Sequence, residues 1–254
     1  MACGALAIAP RASVQGALGA SAGGIAPAAP SVRNGWPCAG CLVEVPAGYR
    51  RGHPAALLVV LHGDEGAPGL IANAFGPIAS SHNMIMFAPQ CPTALGCRFA
   101  NGTGGDTNSW WSWLQYSQTY DDAWVGDQVA RIESAYDLDR TREYLVGWSG
   151  GADYLGWYAF QHSASFAGAA FLAGGVPYHP SCPATHLAAY FLDGAADPRY
   201  LSGQPLQVRS ILAHCGDKTK LVVIPGADHE GSLLAASSPG TATSIVRWLL
   251  QQHS

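Results

Sequence analysis

The chain has 254 residues, 48% of them hydrophobic and 12% charged, with a formal net charge of −4. That length and apolar content suit one large domain with a sizeable core. The 13 Lys and Arg offer no basic stripe for a phosphate backbone, which excludes nucleic acid from the expected partners. No apolar run approaches the roughly 18 residues of a membrane-spanning helix, so no transmembrane segment is expected.

The first 30 residues are almost entirely Ala, Gly, Pro and Ser. Such a segment buries too little apolar surface to offset its ordering entropy and reads as a flexible tether. Residues 1–35 are therefore expected to be a tether and residues 36–254 a single catalytic domain, with folded structure starting near Trp36. The start Ala2-Cys3-Gly4, followed by small residues, resembles a bacterial lipoprotein just past its signal peptide, which makes Cys3 a candidate lipid-anchor site; the alternative is a spare thiol. A basic n-region and a long apolar core are both lacking, so an export signal is expected upstream of this sequence.

Six further cysteines remain: Cys38, Cys41, Cys91, Cys97, Cys182 and Cys215. An even count suggests an oxidising compartment, although six cysteines allow 15 connectivities. The expectation adopted is three bridges, with Cys38–Cys41 and Cys91–Cys97 as local staples and Cys182–Cys215 tying two later loops. The Cys-x-x-Cys at 38–41 has two rival readings, a redox pair or half of a zinc site. No second Cys-x-x-Cys and no nearby His pair completes a ligand set.

From Ala55 onward, short apolar runs alternate with longer amphipathic ones. "AALLVVLHG" (55–63) reads as a strand covered on both faces, and "MIMFAPQ", "REYLVGW", "AGAAFLAG", "AAYFLDG" and "KLVVIPG" repeat it. Between them, "DDAWVGDQVARIESAYDLD" sets Val125, Val129, Ile132 and Tyr136 at helical spacing, and "TATSIVRWLLQQH" closes the chain as an amphipathic helix. The alternation predicts an α/β fold with a mainly parallel sheet flanked by helices on both faces.

Ligands bind such sheets at the carboxyl ends of the strands, and three chemistry-bearing residues fall there. Gly147-Trp148-Ser149-Gly150-Gly151 follows a strand and precedes a helical run, a sharp turn that lifts the Ser149 hydroxyl above the sheet and aims helix N-terminal N–H groups at developing negative charge. A serine needs a base, and the base needs an orienting acid. Downstream, "YFLDGAADPRY" offers Asp197, with Asp193 at the strand end as its rival, and "KLVVIPGADHEG" offers His229. Ser149, Asp197, His229 is the chain order of an α/β-hydrolase triad.

His62 precedes Gly63 at the end of the first apolar strand. "LHG" there resembles the oxyanion loop of the same fold, which implies a structural histidine and an oxyanion hole built from the backbone N–H groups of Gly150 and Asp64. The Asp64 carboxylate is a negative charge beside a site meant to stabilise another. Either it points away, or a different residue is the second donor.

"HG", "YDLDRTREYLVGWSGG", "LDGAADP" and "PGADHEG" together resemble the α/β-hydrolase superfamily over about residues 40 to 252. Among its branches the chain is similar to secreted esterases of the polyhydroxybutyrate depolymerase and feruloyl esterase type. Trp148 stands where that elbow more usually has a small or aliphatic residue, and Gly150 where Ala is frequent. About a dozen residues separate the apolar segment ending near Gly174 from the strand beginning near Leu187, too few for a helical lid, so a single-domain α/β-hydrolase fold with no large lid and an open cleft is expected. The long Gly-rich stretch from Gln90 to Trp124 carries Trp110, Trp111, Trp113, Tyr116 and Tyr120. At least two of its three tryptophans are expected in the core. Trp148 is the candidate substrate-binding wall of the acyl pocket, with burial under the sheet as the alternative.

The expected function is a serine esterase acting on a small-molecule or polymeric ester, of a polyester or of an aromatic (feruloyl-type) acid, with no cofactor and no metal. It is expected to be monomeric, and secreted, periplasmic or tethered to the cell surface. The alternatives are a peptidase of the same fold and a non-catalytic surface binding protein. A fluorophosphonate probe separates the last from the enzymes, and nitrophenyl esters against peptide amides separate the two enzymes.

Overall fold

The structure, a computed structural model, describes residues 30–100, 106–178 and 181–254. Cys3 and nearly all of the expected tether lie outside the described residues. Strand β1 (Ser31–Asn34) pairs antiparallel with β2 (Leu42–Val45) and joins the main sheet, so the fold starts before Trp36 and the expected boundary at 35/36 is corrected. Next come β3 (Ala55–Leu61), α1 (Pro68–Ser81), β4 (Met84–Ala88), the two-residue strands β5 (Phe99–Ala100) and β6 (Asp106–Thr107), α2 (Trp110–Tyr116) and α3 (Trp124–Ala135). The second half runs β7 (Leu138–Trp148), α4 (Gly150–Gln161), β8 (Gly168–Leu172), β9 (Ala188–Gly194), α5 (Pro198–Leu201), α6 (Gln204–His214), β10 (Thr219–Ile224), α7 (His229–Ser237) and α8 (Pro239–Leu249).

Eight strands form one sheet in the order β1-β2-β4-β3-β7-β8-β9-β10. The pairs β1/β2 and β2/β4 are antiparallel, and the rest are parallel. The reason is visible in β3: its seven residues are all buried, with Leu57, Val59 and Leu61 facing one layer and Ala56, Leu58 and Val60 the other. A strand apolar on both faces has to be covered twice. Helices α1, α7 and α8 cover one face, and α2, α3, α4 and α6 cover the other.

One expectation needs adjustment in detail. Tyr136 is not part of helix α3 but its extended C-cap, and its ring packs edge-on against Trp36 and Tyr49. Trp110 and Trp113 are fully buried, as expected of core rings, whereas Trp111 is half-buried against Tyr178. All three expected disulfides form: Cys38–Cys41, Cys91–Cys97 and Cys182–Cys215. The first occupies both thiols that half of a zinc site would need, which argues against that reading of Cys38 and Cys41. Among the described residues between β8 and β9 there is no helix.

Candidate active site

β7 lies between β3 and β8 in the middle of the sheet, and the chain leaves it through Ser149 at φ 52°, ψ −118°. A non-glycine residue rarely holds that conformation, and here packing enforces it. A Cβ on Gly147 would stand 2.6 Å from the Gly151 carbonyl oxygen, and one on Gly151 would stand 2.6 Å from the carbonyls of Leu61 and His62. Both neighbours of the serine turn must therefore be glycine for α4 to cross so near the strands. The Ser149 N–H is held by Leu172 O at 2.9 Å, and α4 begins at Gly150.

The next two strands deliver the partners. Asp197 lies three residues past β9 and caps α5, where its Oδ1 accepts the Arg199 N–H at 2.8 Å. His229 opens α7, five residues past β10. The three side chains form one hydrogen-bonded chain: His229 Nδ1 is 2.8 Å from Asp197 Oδ2, and His229 Nε2 is 2.8 Å from Ser149 Oγ. A carboxylate accepting at Nδ1 fixes that nitrogen as the proton carrier, which leaves Nε2 to accept from the serine hydroxyl. Asp197 is completely buried, while the His229 side chain is one-third exposed. Asp193, the rival acid, does not bond His229. It is fully buried with no partner for either oxygen, and burial, then Asp197 and Asp153, push its carboxyl up to about 7.

His62 is structural, as its motif implied. It is buried, its Nε2 accepts the Cys91 N–H at 3.2 Å, and its Nδ1 then donates to Gly63 O at 2.7 Å. Burial holds its pKa down to about 4, so the ring stays neutral and the tautomer fits both bonds. The loop that follows is pinned from α2's side, because Asn108 O accepts the Glu65 N–H and Asn108 Nδ2 donates to Gly66 O. Among the described residues neither the Asp64 N–H nor the Gly150 N–H has a hydrogen-bond acceptor. Two free donors near Ser149 are what an oxyanion hole requires.

The Asp64 carboxylate does not turn to open solvent. It lies against Gly150, in space that any side chain there would occupy, which explains glycine in place of the usual alanine. Its Oδ2 is 4.0 Å from Arg199 Nη2, while Arg199 Nη1 bonds Asp153. Trp148, the other departure from the usual elbow, stacks on the His229 ring at 4.9 Å and lies directly over Gly63. With Leu70, Ile71 and Leu233 it walls one side of a cleft of about 250 Å³ that also contains Ser149 and His229.

Sequence reasoning missed Arg199, Asp153 and Asn108, and also the apolar wall from α1 and α7. Arg199 alone carried a signal, standing two residues after the acid. The others depend on contacts between distant segments.

No protein-family model and no curated protein sequence matches the chain. Solved structures do. A thermostable esterase is similar at 20% identity and TM-score 0.63 over 84% of this chain, and this chain spans 60% of that one. A Bacillus cereus carboxylesterase is similar at 15% identity and TM-score 0.60, covering 82% of this chain and 92% of the other. The feruloyl esterase module from Clostridium thermocellum, complexed with sinapinate, gives 13% identity and TM-score 0.55 over 84% and 86%. Likeness at these identities carries architecture, and with the sheet order and the strand-turn-helix at Ser149 it establishes that the chain has the α/β-hydrolase fold.

Proposed function

We propose that the chain is a serine esterase that hydrolyses carboxylic esters through an acyl-enzyme. The observation that carries this reading is the unbroken Asp197–His229–Ser149 hydrogen-bonded chain, both links at 2.8 Å, at the carboxyl ends of β7, β9 and β10. Ser149 Oγ bonds to the ester carbonyl carbon while His229 Nε2 takes its proton, and Asp197 holds the imidazole tautomer and offsets the imidazolium charge. The oxyanion is received by the N–H groups of Gly150 and Asp64. On collapse the C–O bond to the alcohol breaks and His229 returns the proton to the departing oxygen. Water, deprotonated by His229 in turn, then releases the acid and Ser149. No step calls for a cofactor or metal.

The cleft argues for a modest acyl group. At about 250 Å³ it is smaller than the roughly 300–1,000 Å³ of sites that enclose a drug-sized ligand, so it holds one end of an ester while the other projects outward. Trp148, Leu70, Ile71 and Leu233 suit a short aliphatic or single-ring acid, and the lack of a helix among the described residues between β8 and β9 suits a polymeric alcohol side. A polyester or a feruloyl-type ester meets both conditions. Three disulfides favour an oxidising compartment, and with it a secreted, periplasmic or surface-tethered monomer, anchored through Cys3 if that residue is lipidated.

A panel of nitrophenyl esters of increasing acyl size, run beside matched peptide anilides, tests the reading. Turnover of short-chain and aromatic esters with little or none of the anilides is expected. Anilide cleavage exceeding ester cleavage would replace the esterase with a peptidase.

A further inference from the structure

The Asp64 carboxylate poses a physical problem for the proposed oxyanion hole. It belongs to the same residue as one free N–H donor and presses against Gly150, the residue that carries the other. A fixed negative charge so placed opposes the charge that develops on the substrate oxygen, and the opposition is strongest where water is excluded. Its Oδ1 is buried without a hydrogen-bond partner. Burial raises its pKa, while the Ser109 hydroxyl and then the Arg199 charge oppose the rise.

Arg199 is the cation that answers it. Its backbone N–H holds Asp197 Oδ1 at 2.8 Å, so it is fixed to the acid loop. Its Nη1 bonds Asp153 Oδ2 across 46 residues, and its Nη2 stands 4.0 Å from Asp64 Oδ2. Asp153 is itself almost fully buried on the first turn of α4, where its N–H bonds Ser149 O and its Oδ1 accepts the Gly175 N–H, both at 2.8 Å. One guanidinium thus links the acid loop, the nucleophile's helix and the oxyanion loop, the three segments whose relative placement the chemistry needs. Its planar fork presents its two terminal nitrogens in a fixed geometry, so one guanidinium can serve two carboxylates at set positions.

We propose that Arg199 is a positioning residue that compensates the Asp64 carboxylate and holds it off the oxyanion. The inference rests on the proposed triad and oxyanion hole. Because the oxyanion exists only around the transition state, loss of Arg199 falls on kcat and spares substrate binding. A merely structural ion pair carries no such signature, and still less a reversal when the opposing charge is removed.

The test compares Arg199→Gln, Asp64→Asn and their combination, using a nitrophenyl ester that the wild type turns over. Arg199→Gln is expected to lower kcat about 10- to 100-fold with KM within about threefold. Adding Asp64→Asn should recover most of that loss, because the uncompensated charge is gone. If Arg199→Gln does not fold, because Asp153 is left buried and unpaired, Arg199→Gln with Asp153→Asn removes that orphan and is compared with and without Asp64→Asn. A kcat within twofold of wild type in Arg199→Gln, or a combined variant no faster than its parent, overturns the proposal. Hydrogen exchange of the 63–66 segment, faster in Arg199→Gln, reads the link without any turnover. If the wild type hydrolyses no ester, the esterase reading fails, and unchanged exchange then separately removes the link.

Discussion

Two regions flanking α4 are both rich in aromatic side chains and built on opposite principles. Under one face of the sheet, Trp110 packs 5.5 Å from Tyr154 and 6.2 Å from Trp113 and Trp124, with Trp113 edge-on to Trp124 at 6.0 Å. Trp113 also donates its indole N–H to Leu95 O at 2.7 Å. At the other end, Trp148 stacks on His229 beside a serine held at positive φ, with the Asp193 carboxyl and one Asp64 oxygen buried and unpartnered. The first region stabilises the fold, and the second carries strain and desolvated acids that cost stability. Sites that need strained backbone and tuned charges occupy such places, and the surrounding packing offsets the cost.

Substitutions that separate stability from activity sharpen this contrast. The largest effect is expected in the aromatic layer: Trp113→Ala opens a cavity and removes the indole hydrogen bond to the Leu95 carbonyl, which keeps the Thr119 hydroxyl as a donor, at a cost of about 3–5 kcal/mol. Chemical denaturation measures it, and a loss below about 1 kcal/mol would mean that the layer is not the stabilising region.

The second effect has the opposite sign. Burial lifts the Asp193 carboxyl from 3.8 to about 7, so the folded state keeps its proton where the unfolded chain has lost it. The stability it contributes is fully present below about pH 4 and is lost as pH rises through about 7. Asp193→Asn removes that loss, and its advantage over wild type should grow from pH 4 to pH 8, reaching on the order of 2 kcal/mol after the cost of a buried amide. Thermal melts at the two pH values check it; an equal difference at both would show that the carboxyl titrates normally.

The smallest effect belongs to Trp148. Trp148→Ala takes away the stacking partner of His229 and one wall of the cleft, and kcat/KM should fall about tenfold. Its loss of stability should be smaller than that of Trp113→Ala. A Trp148 variant that melts earlier than the Trp113 variant, with normal kcat/KM, would erase the distinction between the two regions.

Which parts were legible in the sequence follows from how each is built. The parallel strands and the serine turn announce themselves because a doubly covered strand is continuously apolar and a strand-to-helix crossing this tight needs glycine at 147 and 151. Asp197 and His229 were readable because each closely follows a strand end. Strands β1 and β2 were not, since four-residue antiparallel segments beside an Ala- and Gly-rich stretch have no distinctive period. Tyr136 fits the helical spacing of α3 but falls one residue beyond it, where contacts with Trp36 and Tyr49 outweigh local pattern. Glycine stands at 150 because the Asp64 side chain fills the place of a Cβ there. Such a fit between residues 86 positions apart leaves no mark in a single chain.

The most direct test of the central claim is covalent. Treatment with a fluorophosphonate, followed by peptide mass spectrometry, is expected to find one adduct on Ser149, formed in step with loss of ester hydrolysis and absent from Ser149→Ala, which should retain the wild-type fold. An adduct on another serine, or ester hydrolysis that survives in Ser149→Ala, would contradict the assignment of Ser149, Asp197 and His229.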